Sequence, residues 1–151
     1  MTLPSAPPRQ SRKVTERVTL RFTVTLAPRT KKTSNQLGQA GGRMFVFPSK
    51  PWREWVASAQ IEFDAAHQSD TWARAIACGK SWVNWPVNCE ARFYRDARRG
   101  DACGYYQGLA DLLQKKRILA NDALIEQWDH SRLLVDRSCP RTVVVLRPVE
   151  G

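Results

Sequence analysis

Carboxylates and guanidinium groups are most densely interleaved between positions 95 and 133, RDARRGDACGYYQGLADLLQKKRILANDALIEQWDHSRL. Three aspartates stand out there. The local pattern puts Asp101 where a strand gives way to a helix, Asp111 within that helix, and Asp122 in the turn after it. In a chain of net charge +10, acids at element ends make physical sense if they hold a divalent cation. Mg²⁺ prefers oxygen ligands and keeps several waters, so two or three carboxylates suffice. Such an ion polarises a phosphodiester and generates a hydroxide-like nucleophile. Each aspartate also has an ordinary structural use: Asp101 as a helix cap, Asp111 as a partner for Lys115 one turn on, Asp122 as a turn former. Spacing alone leaves both uses open.

The bases around these acids suit a polyanion. Arg29, Lys31 and Lys32 lie in one cluster and Arg95, Arg98 and Arg99 directly precede Asp101, with Lys115 further along. Ser34 and Asn35 add hydrogen-bond donors for phosphate oxygens. With 24 Lys and Arg against 14 Asp and Glu, the chain favours nucleic acid as partner. No run approaches the ~18 apolar residues of a membrane span, and the N-terminus has no apolar segment of a secretory signal. Cys78, Cys89, Cys103 and Cys139 form no CxxC pair, and His67 and His130 are far apart, which fits neither a zinc module nor a disulfide framework. Reduced thiols and a cytoplasmic location are the expectation. No phosphate-binding glycine loop and no nucleophile–His–Asp signature is present.

The elements that must position these residues follow from periodicity. Residues 1–16 are Pro-rich, basic and aperiodic, a flexible arm before a single domain over 17–151. Val18, Leu20, Phe22, Val24 and Leu26 alternate with polar residues, which predicts a strand. Residues 27–43 read as a long loop and 43–47 as a short strand. Ser49 and Pro51 open a predicted helix running to about 68, with Trp55, Ala59, Phe63 and Ala66 on one stripe and Ile61 off it. A short second helical piece is expected over 71–80. Val87, Cys89, Ala91 and Phe93 mark another strand, 102–117 a helix, Ala123–Val135 a strand or strand plus turn, and Thr142–Leu146 a closing strand. The whole is expected to be α+β, a small mixed sheet packed by two main helices. The six tryptophans (52, 55, 72, 82, 85, 128) fit core or dimer packing better than base stacking.

Taken in order, KKTSN (31–35), PSKPWREW (48–55), RFYRDARRGD (92–101), GYYQGLADLLQKKRILAND (104–122), IEQWDHSRLLVD and PRTVVVL resemble the RusA-like family of Holliday-junction resolvases over most of 17–148. The resemblance implies a small homodimeric nuclease of phages and prophages with a mixed α/β domain. It implies Mg²⁺-dependent hydrolysis of phosphodiesters at four-way junctions, with Mn²⁺ as a substitute ion. By position it implies Asp101, Asp111 and Asp122 as the acids; holding the metal is expected of Asp101 and Asp122. Two positions depart from the pattern. Where the best-known members carry a second Asp and a Lys, this chain has Cys103 and Gln107. Cys is a poor ligand for a hard ion, and Gln cannot neutralise phosphate charge. Asn121, Lys115 and Arg99 are the candidates to substitute.

Helix geometry constrains the acids. On an unbroken helix over 102–117, Asp101 and Asp111 lie roughly 15 Å apart along the axis, too far to share one ion. Either the helix is shorter or broken near its glycines, or the site borrows an acid from a second subunit. The leading expectation is a structure-selective endonuclease with Asp101 and Asp122 as its core pair and Asp111 in support. The alternatives are a branched-DNA-binding protein that has lost its chemistry, and an RNA-binding accessory protein.

Overall fold

The computed structural model describes residues 17–30, 35–48, 50–64 and 78–150. The arm 1–16, residues 71–77 of the short helix expected over 71–80, Lys31, Lys32, Ser34, Ser49, His67 and Trp72 lie outside the described residues, and Cys78 and Gly79 form a turn. The described residues form an α+β fold: a mixed six-stranded sheet, a separate two-stranded hairpin and two α-helices. No helix among them is long and apolar enough to cross a membrane.

Strand β1 (Leu20–Thr25) buries Leu20, Phe22 and Val24 and turns Arg21, Thr23 and Thr25 the other way, as its alternation requires. It ends one residue before the predicted Leu26, which takes φ 84° and is exposed. The predicted loop over 27–43 is interrupted by a strand. β2 (Asn35–Ala40) pairs antiparallel with β3 (Arg43–Pro48) through Gly41 and Gly42, whose φ values are 59° and 77°. A two-residue hairpin turn needs positive φ at both central residues, which Gly-Gly supplies.

Helix α1 (Lys50–Ser58) buries Trp52 and Trp55 but stops well short of residue 68. The chain then straightens into β4 (Ile61–Phe63), an edge strand on β1 with Phe22 opposite Phe63 and ring centroids 5.8 Å apart. The off-stripe Ile61 belongs to this strand.

β5 (Val87–Arg95) runs through the sheet and is followed by α2 (Ala102–Lys115). Beyond α2, a 3₁₀ turn (Asp122–Leu124) leads to β6 (Ile125–Gln127) and then β7 (Arg132–Val135), both parallel to β5 on the same edge. The expected strand over 123–135 is therefore split. Asn88 and Ser131 fill the gap between its halves. Asn88 Oδ1 accepts from Asp129 N at 2.9 Å, and Ser131 Oγ accepts from Ala91 N at 2.9 Å while donating to Cys89 O. β8 (Arg141–Pro148) joins β5 to β1, giving the order β4–β1–β8–β5–β6 with β7 beside the second half of β5.

One sheet face packs under both helices. Phe22, Val24, Cys89, Ala91, Phe93, Val144 and Leu146 meet Trp52, Trp55, Leu109, Leu112 and Leu113 in a single core. Trp85 is buried with them, and Trp128 stacks on Tyr106 with centroids 4.5 Å apart, so these tryptophans serve packing. All four cysteines are free; burial pushes the Cys89 thiol well up, so it stays protonated and inert.

Candidate functional site

The corner between β5 and α2 is tightly determined. β5 ends in Arg95, only 9% exposed, whose guanidinium lies 5.8 Å from the centroid of the Tyr105 ring. Arg95 Nε donates to Leu134 O at 3.1 Å and its Nη1 donates to Arg99 O at 3.3 Å. Tyr105 Oη donates to the same Arg99 carbonyl at 2.8 Å. Burial raises the Tyr105 pKa and keeps that hydroxyl a donor. Asp96 pairs with Arg99 at 3.1 Å across the turn.

Two glycines let the chain close this corner. Gly100 sits at φ 76°, and a Cβ there would stand 3.0 Å from both Thr30 Cγ2 and Tyr105 Cε2. A Cβ at Gly104 would stand 3.2 Å from Thr30 Cβ and Cγ2. Thr30 therefore lies against the start of α2. Asp101 follows in extended conformation (φ −106°, ψ 163°), and its Oδ1 accepts from Gly104 N at 2.7 Å, a helix N-cap. The Asp101 residue is exposed.

Several expected site residues meet here. Asp101, Arg98 and Arg99 share the corner, and Thr30 brings the end of the Arg29 segment to it. Arg95 is a correction. It is buried and bonds two backbone carbonyls, so it positions the turn and offers no surface for phosphate. Arg29 is half-buried, beside a shallow hollow near Trp55 and Glu54. Asn35 opens β2.

The other acids stand elsewhere. Helix α2 runs unbroken through Gly104 and Gly108, so the option of a broken helix is gone. Asp111 faces Lys115 Nζ at 3.8 Å, and that ammonium sits 4.7 Å from the centroid of the Trp52 ring. Asp122 opens the 3₁₀ turn, and its backbone N–H donates to Gln114 Oε1 in the last turn of α2. Ile118 N and Leu119 N both bond Leu113 O, wrapping the chain around that end. Asn121 caps the turn by accepting from Ala123 N.

The strands give the same placement. Asp101 follows the Arg95 end of β5, whereas Asp122 precedes Ile125, which pairs with Val87 at the opposite end. With 1.5 Å per helical residue, the two ends of α2 are about 20 Å apart. One chain thus does not bring Asp101 and Asp122 together. Lys115 likewise lies too far away to serve Asp101.

Each aspartate has the ordinary use that the sequence left open: cap, ion-pair partner and turn former. The exposed Cys103 sits in the first turn of α2 and Gln107 one turn on. No group of three or more His, Cys, Asp or Glu able to hold a metal occurs among the described residues. Thr30 was not singled out from sequence and Tyr105 is expected there only on the apolar stripe of its helix; the paired glycines at 100 and 104 are the signal that a close approach occurs there. In comparisons with known proteins, no family model matches the chain and no curated protein matches it.

Proposed function

We propose that this chain is a cytoplasmic, structure-selective endodeoxyribonuclease of the Holliday-junction resolvase type, working as a homodimer on four-way DNA junctions. The observation that carries the reading is the β5–α2 corner, where an arginine-rich turn and the segment leading into Lys31 and Lys32 converge on the exposed Asp101 at a helix N-terminus. That terminus and its cations favour a phosphate beside the carboxylate. Since the acids occupy opposite ends of α2, the reading requires Asp101 of one protomer to be completed by Asp122 of the partner subunit. A two-fold axis running α2 antiparallel to its copy would create two such sites, matching the symmetry of paired nicks in a junction.

Complementation tests this arrangement. Asp101→Asn and Asp122→Asn should each abolish Mg²⁺-dependent nicking of a synthetic four-way junction while keeping junction binding. Mixed in equal amounts and allowed to exchange, they should recover about a quarter of the wild-type sites, because half the dimers are mixed and each mixed dimer holds one intact pair. No recovery from two inactive variants would refute the shared site.

A second reading, a branched-DNA-binding protein without cleavage activity, is favoured by the thiol and amide of Cys103 and Gln107 in the first turns of α2. Wild-type protein that shifts junctions in a gel and cuts none, with or without Mg²⁺ or Mn²⁺, would establish it.

A further inference from the structure

The sheet face opposite the helices has no helix over it among the described residues, and its composition is unlike a solvated surface. The strand register sets Arg21, Val145 and Glu90 in one row across β1, β8 and β5. The next row is Glu62, Thr23, Val143, Arg92 and Arg132 across β4, β1, β8, β5 and β7. Arg147 pairs with Asn88 beside the first row. Two open hollows result. One, of about 210 Å³, is lined by Arg21, Glu90, Arg92, Val143, Val145 and Arg147. The other, of about 370 Å³, is lined by Glu90, Arg92, Tyr94, His130, Arg132 and Leu134.

Glu90 lies between them with its side chain 12% exposed, bonded to Arg147 and 3.5 Å from Arg92 Nη2. The carboxylate fixes two guanidinium groups in place and leaves both partly exposed. Among the described residues, Arg21 and Arg132 carry no ion pair. Arg141 is engaged by Asp136 at 3.0 Å and lies 3.9 Å from the centroid of the Tyr94 ring. Four arginines against one glutamate therefore line the hollows.

We propose that this face is a second nucleic-acid surface, binding the phosphate backbone of duplex DNA independently of the acid corner. Charge complementarity selects the occupant. A second copy of the chain would set arginine against arginine, whereas phosphate accepts the forked geometry of each guanidinium. Arg21 and Arg132 are three strand spacings and two residues of strand rise apart, about 16 Å. Over that axial length one DNA strand presents about five phosphates. The inference does not rest on cleavage, and its test is separable from that of the shared acid site.

The experiment measures affinity for linear duplex DNA against salt in the uncleaved wild-type reaction, without Mg²⁺, and in the Arg21→Ala/Arg132→Ala double variant. Losing two phosphate contacts should make the fall in affinity between 50 and 200 mM salt about 12-fold smaller. The Arg21→Lys/Arg132→Lys variant, which keeps both charges, should restore most of the wild-type slope, and this excludes misfolding as the cause. A slope that stays at the wild-type value in the alanine variant overturns the proposal. So does a change of oligomeric mass at unchanged slope, which would make the face a contact between copies.

Discussion

Arginines at two places in this molecule do opposite things. At the β5–α2 corner the guanidinium of Arg95 is buried and directed at backbone carbonyls, so its charge shapes a turn and does not face solvent. On the open sheet face, Glu90 is the less exposed partner, and Arg92 and Arg147 extend from it with side chains 51% and 41% exposed. A buried cation that closes a turn is part of the scaffold. Exposed cations held by a sunken anion are presented to a partner. Residue type and net charge do not distinguish these cases; the direction of the hydrogen bonds does.

The difference should be largest in stability. Replacing Arg95 by Met keeps the volume and removes both charge-assisted bonds, leaving Leu134 O without its donor and costing about 3 kcal/mol. Arg92→Met on the open face breaks only a partly exposed pair and should cost less than about 1 kcal/mol. Urea unfolding at unchanged m-value measures both. Equal losses would show that the two arginines have the same role and would remove the distinction.

The sequence discloses the parts of this architecture that are local and one-sided. β8 was legible because Thr142–Val145 is a run of β-branched residues, and β1 and β5 because each sets an apolar row such as Leu20, Phe22 and Val24 against a polar one. The strand-to-helix boundary at Asp101 was legible for the same reason. β2 was not, since NQLGQA offers one aliphatic residue and its register comes from the Gly41–Gly42 turn. β4 was absorbed into the helix before it because three residues are too few to establish a period, although Ile61 marked the break. The candidate site was legible in its acids and bases, and less so in their arrangement. Arg95, Arg98 and Arg99 are alike in sequence, and only the packing of Tyr105 and Leu134 makes the first internal. The Glu90–Arg147 contact joins residues 57 apart, beyond any local pattern.

Asp101 allows cap and carboxylate to be separated. Asp101→Ala removes the bond to Gly104 N and should lower stability by about 1 kcal/mol. Asp101→Asn retains an oxygen acceptor and should lie close to wild type in thermal unfolding, while losing the negative charge on which the proposed cleavage depends. If Asn proves as destabilising as Ala, the cap is not the role of this side chain, and a loss of nicking in the Asn variant could no longer be assigned to chemistry.

The smallest expected effect concerns pH and belongs to the open face. The hydrogen bond from Arg147 holds the Glu90 carboxyl below its ordinary value of 4.5, against the opposing effect of burial. A carboxyl whose pKa is depressed by folding stabilises the native state above its unfolded pKa, and the contribution is lost as pH falls through the folded value. Wild type should therefore exceed Glu90→Gln in melting temperature near neutrality, and the two curves should converge below pH 4.5. Curves that stay parallel into that acid range would show that Glu90 does not organise the arginines through its charge. The corner serves as control, since Arg95 there bonds carbonyls that do not titrate, and Arg95→Met should keep its full deficit through the same window.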